Sequence, residues 1–136
     1  MNLETSDKKM PWEELTNGLY YPSESDEPIE YIEFTYQAAP PLTVSQVKNL
    51  VLIPADIFME EVAENEFWEP VLTEQDWYGE EEKAVLNRFK ILQEEVNRQL
   101  ADRQVFRSGR IEIDVFLLGR KPDGSWAGLK TRVVET

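Results

Sequence analysis

The chain reads as an α+β domain. Three patterns predict it: an amphipathic run from Asp76 to Leu100, an alternating apolar segment from Ile29 to Tyr36, and two alternating segments around Pro122-Asp123-Gly124 that form a C-terminal β-hairpin. At 136 residues the length fits one domain spanning 1–136. A domain of about 150 residues buries roughly 68–70% of its unfolded surface, so a core without disulfide or metal is expected.

Residues 1–10 are polar and expected to be flexible. A short helix follows, with Pro11 in its first turn, Trp12, Leu15 and Leu19 near one face, and Gly18 as its stop. Tyr21 to Pro28 is a loop by its Pro, Ser and Asp content. In the strand Ile29 to Tyr36, the side chains of Ile32, Phe34 and Tyr36 share one side, and Pro40-Pro41 ends it. Between 40 and 70 the pattern is weaker: Thr43 to Leu50 opens a short helix, Val51 to Ile53 is an apolar run, and Pro54 to Val62 reads as a helix with proline at its start. In the long helix Val85, Phe89, Leu92, Val96 and Leu100 recur at spacings of four, three, four and four. Its start is marked by Thr73 with Asp76 as a capping box, or by Asp76 alone as N-cap. In the hairpin Ile111, Ile113, Val115 and Leu117 alternate with Glu112, Asp114 and Phe116, and the returning strand carries Ala127, Leu129, Thr131 and Val133. Trp12, Trp68 and Trp126 are expected in the core.

Cysteine and histidine are both absent, which removes thiolate and imidazole chemistry and the ordinary structural zinc sites. The net charge of −13 is uneven: residues 1–102 hold 7 basic and 23 acidic side chains, residues 103–136 hold 7 and 4. So acidic a chain repels nucleic-acid phosphate and anionic membrane and suits a basic protein partner, although solubility alone also accounts for acid. No apolar run reaches the roughly 18 residues of a membrane span, and the first residues are too polar for a secretory signal, so a cytoplasmic location is expected.

The sequence lacks a G-x-S-x-G elbow, a phosphate loop, a dinucleotide fingerprint and a calcium loop. A carboxylate hydrolase built from Glu24, Asp26 or Glu27 and a second acid is conceivable, but acid pairs arise by chance among 27 acidic residues. The chain is therefore not expected to be an enzyme. Ser23-Glu24-Ser25 is a turn, or a loop that offers Glu24 to a partner's Arg or Lys. Trp77 and Tyr78 stand inside the acidic block Thr73 to Glu82; Trp77 is either a core residue under the helix start or an exposed anchor of the kind that dominates interfaces. The ending Val133-Val134-Glu135-Thr136 follows the last strand directly. A terminus usually frays. Held by a strand, this one would display a carboxylate and a hydroxyl, hard oxygen donors suited to Mg²⁺ or Mn²⁺.

Asp76-Trp77-Tyr78 followed by acids and the long helix, then the hairpin and the terminal Val-Val-Glu-Thr, resemble the nuclease A inhibitor family of cyanobacterial type. The likeness is strong from Thr73 to Thr136 and extends weakly to Gly18 to Pro28. It implies a three-layer α/β/α sandwich similar to the pathogenesis-related type 1 fold, with no cofactor of its own. It also implies a function: a monomer that binds a non-specific, metal-dependent sugar nuclease one-to-one. In that family the terminal Thr reaches the nuclease's catalytic Mg²⁺, while a loop Glu and an Asp-Trp pair dock on its basic surface. Residue by residue these roles fall on Thr136, Glu24, Asp76 and Trp77. The alternative is an acidic interaction module with a target other than a nuclease.

Overall fold

The computed structural model describes residues 11–136, so the flexible segment expected at 1–10 lies outside the described residues. The chain runs α1 (Trp12–Thr16), β1 (Tyr20–Tyr21), β2 (Glu27–Pro28), β3 (Glu30–Gln37), α2 (Val44–Val51), β4 (Met59–Val62), α3 (Asn65–Leu72), α4 (Glu80–Gln99), β5 (Ala101–Ser108), β6 (Glu112–Arg120) and β7 (Ser125–Val134). The fold is α+β. Strands β3, β7, β6, β5 and β4 form one antiparallel sheet in that order, and β1 pairs with β2 in a small ladder.

Successive side chains on a strand point to opposite faces, so β6 feeds two apolar clusters. Ile113, Val115 and Leu117 join Leu129 and Val133 of β7 beneath α1, α3 and α4. Phe116 and Leu118 pack with Phe106, Trp126 and Leu42, where α2 contributes Val47. Both sides of β6 are thus covered, which accounts for the unbroken apolar run Val115 to Leu118. Buried Gln104 bonds both the N–H and the C=O of Leu42, at 2.8 and 2.9 Å, and ties the segment after β3 to the sheet.

Most elements match their sequence signals. Gly18 takes φ +69 just beyond α1, while Pro11 stands at its N-cap, one position before the first turn expected for it. Thr43 caps α2 through a reciprocal box with Gln46. The hairpin β6–β7 turns at Pro122-Asp123-Gly124. Trp68 and Trp126 are buried; Trp12 is half-buried and stacks on Tyr31 at 4.7 Å.

Four differences have physical causes. Pro54 to Val62 is a turn and then strand β4, not a helix: Ile57 N–H bonds Pro54 O, and Met59 to Val62 pair with Ser108 to Val105. Sheet pairing overrides the weak helical preference of Met-Glu-Glu. The long helix starts at Glu80, not Asp76, because Gly79 is its N-cap and the Glu82 carboxylate accepts the Gly79 N–H at 2.9 Å. The hydroxyl of Thr73 instead donates to Glu69 O, closing the end of α3. The core stripe of α4 is Leu86, Phe89, Leu92 and Val96, each contributing about 1.5–3 kcal/mol relative to exposure, whereas Val85 is exposed. Finally, α3 and β5 carry no separate sequence signal, and Phe116, on the face of β6 opposite Val115 and Leu117, packs in the second cluster.

Candidate partner-binding site

The 22–26 loop is fastened at its root and laced to the end of β7. Tyr21 is buried; its hydroxyl donates to Phe67 O at 2.6 Å, and burial pushes its pKa up to about 12, so it stays a neutral donor. Ser23 Oγ accepts the Val134 N–H at 3.0 Å, and the Glu24 N–H donates to Val134 O at 3.4 Å. The loop therefore satisfies the β7 edge just where β3 no longer reaches it.

On the other side of β7 the Glu135 N–H donates to Ile111 O at 2.9 Å, and the Glu135 carboxylate pairs with Arg107 at 2.6 Å. Thr136 comes next, and Glu24 holds it. Its N–H donates to Glu24 Oε2 at 3.0 Å, and its hydroxyl donates to Oε1 at 2.8 Å and Oε2 at 3.1 Å. Both residues are exposed. The backbone bond from Thr136 and then its hydroxyl bond hold the Glu24 carboxyl below its usual range.

Trp77 is 70% exposed and packs edge-on against Tyr78, with ring centroids 4.8 Å apart. The core alternative for Trp77 does not hold. Together with Asp76, also exposed, it forms the turn before α4. The groove that Trp77 borders and the depression beside Glu24 share Pro22 and Pro70 in their walls. Glu24 and Thr136 are thus in direct contact, while Trp77 borders the neighbouring groove and Asp76 precedes it in the turn. Arg107, which pairs with Glu135 beside the tail, escaped the sequence reading; Ser23 and Glu135 were named there, but not as groups that position the tail.

Two of the three acids considered for hydrolysis have partners within the chain. Glu24 holds Thr136, and Glu27 accepts from Ser25 Oγ at 2.6 Å. Among the described residues no three His, Cys, Asp or Glu cluster as a metal site, and no helix is long and apolar enough to cross a membrane.

The Glu24–Thr136 contact predicts a pH signature. A lowered carboxyl pKa means that the contact is present above the ordinary value of 4.5 and is lost as pH falls through the folded value. The Glu24 side-chain carboxyl resonance should therefore titrate with a midpoint below 4.5, and the midpoint should rise when the Thr136 hydrogen bonds are removed. A midpoint at or above 4.5 would contradict the contact.

The family model described as NuiA, nuclease A inhibitor-like protein, matches residues 9–136. No curated protein matches the chain. Because the match spans nearly the whole sequence, including the loop, the Trp77 turn and the tail, the chain belongs to the nuclease A inhibitor-like family.

Proposed function

We propose that this chain inhibits a non-specific, metal-dependent sugar nuclease of the ββα-metal type, as a monomer that joins it one-to-one in the cytoplasm. The observation that carries the proposal is the grip of Glu24 on Thr136. A threonine hydroxyl has one hydrogen and two acceptor lone pairs. With the hydrogen spent on Glu24, the lone pairs remain for a cation.

A cleft that binds phosphate is basic and holds a divalent ion. An acidic protein that offers oxygen donors there imitates the substrate without a bond to cleave, and needs no catalytic group or cofactor of its own. In this reading Thr136 approaches the nuclease's metal in trans, Glu24 and Asp76 meet its basic residues, and Trp77 anchors the contact. The concentration of acid in residues 1–102 supports the charge match and argues against nucleic acid or anionic membrane as partners. Helices on both faces of the sheet support the further reading as a three-layer sandwich of pathogenesis-related type 1 kind.

The test is inhibition of such a nuclease by the intact chain and by a form lacking Thr136. Loss of at least tenfold in potency is expected on truncation; undiminished inhibition would sink the metal-directed mechanism. An intact chain that inhibits no such nuclease yet retains a different basic protein would favour the acidic interaction module.

A further inference from the structure

We propose that the groove between α4, the Trp77 turn and β1 receives a cationic side chain, arginine above all, from the protein partner. The identity of that partner rests on the inhibitor reading; the chemistry of the groove does not.

The groove encloses about 340 Å³. Its exposed walls are Tyr20, Trp77 and Val85, at 53%, 70% and 45% exposure. Single exposed apolar residues are ordinary, but three converging on one depression mark a contact surface. Its other lining includes Asp26, Glu81 and Glu82 and no basic residue. Arg88 is turned to backbone, donating to Leu15 O and Asn17 O at 3.3 and 2.7 Å, and Lys83 lies nearest Glu74, at 3.7 Å.

Glu82 already caps α4 through the Gly79 N–H, so an apolar occupant would cover Asp26 and Glu81 without pairing them, which is costly. An anion would be repelled. The helix α4 also points its N-terminus here, with a partial charge of about half a positive unit, but Glu80, Glu81 and Glu82 in its first turn outweigh it. A long cationic side chain satisfies both parts of the groove: its methylene stem lies on the apolar walls and its charged head reaches the acids. A planar guanidinium also stacks on aromatic surface, and most of the Trp77 side chain is exposed. Arginine is therefore preferred to lysine.

The experiment titrates the full chain with N-acetyl-arginine amide, and with N-acetyl-glutamine amide as the uncharged control, following the Trp77 indole N–H, Tyr20 and Val85 by NMR. Saturable shifts confined to the groove are expected with the arginine probe alone, weakened at least tenfold in Glu81→Lys. Equal shifts from both probes, shifts spread over the whole acidic surface, or no shift would overturn the proposal. A second arm measures inhibition of the nuclease. Glu81→Lys and Tyr20→Ser should each weaken it about tenfold, while Glu94→Lys, an equal charge change at an exposed position further along α4, should not. If the intact chain inhibits no nuclease but arginine still titrates the groove, the inhibitor reading falls and the groove stands. If inhibition is strong, arginine does not titrate and both groove variants inhibit normally, the groove falls and the inhibitor reading stands.

Discussion

Replacing Trp126 with alanine is expected to destabilise the fold by about 3–5 kcal/mol, a large share of the roughly 5–15 kcal/mol that holds a domain together. Trp126 is fully buried in the second cluster, and its indole N–H donates to Ala38 O at 3.0 Å. Truncation removes the largest side chain of that cluster and leaves the Ala38 carbonyl without its partner. The loss combines a cavity with an orphaned polar group. With a urea m-value of about 1–3 kcal/mol/M, the unfolding midpoint should fall by at least about 1 M. A smaller shift would mean that the cluster closes over the gap. Trp77→Ala provides the contrast: an exposed side chain in a turn should change stability by no more than about 0.5 kcal/mol, whatever it does to binding.

Glu24→Ala is expected to weaken nuclease binding by about 2–5 kcal/mol, or about 30-fold to several thousand-fold. Two losses combine in this one change. The carboxylate that would meet a partner arginine disappears, and so does the acceptor that orders Thr136. Deleting Thr136 from the Glu24→Ala variant should therefore cost much less than deleting it from the intact chain, since groups in contact do not contribute additively. Isothermal titration of the four proteins against one nuclease measures the cycle. Strict additivity would show that Glu24 does not act through the tail.

Local signals made the helices α1, α2 and α4, the strand β3 and the C-terminal hairpin legible, because each obeys its own period and carries its own cap or turn residues. Strand β4 was not, since Met59 to Val62 become a strand only by pairing with Val105 to Ser108 far along the chain. Strand β5 hides its pattern for a different reason. Asp102 takes φ +53 within a bulge, and Val105 and Phe106, adjacent in sequence, feed opposite clusters. The start of α4 was misplaced because Thr73 and Asp76 match a capping box locally, while Thr73 is the C-cap of α3 and donates its hydroxyl one turn back, to Glu69 O. In the candidate site, the residues were nameable from the family resemblance and their contact was not. Glu24 and Thr136 lie 112 positions apart, beyond the reach of any spacing rule.

The position of β7 between β6 and β3 also orders the steps by which the sheet assembles. Strands β5, β6 and β7 follow one another along the chain and pair as neighbours, so their loops close at little entropic cost. The register of β3 instead joins Glu30 to Lys130, a hundred residues apart. Contacts so distant form late, and slowly, in chains of this size. Until β3 arrives, β7 exposes a row of unpaired backbone groups, an edge on which a second unfolded chain can add. Refolding yield should depend on protein concentration through such open edges, of which β5 before β4 pairs with it is the other, and the charge of the chain helps to keep such encounters rare.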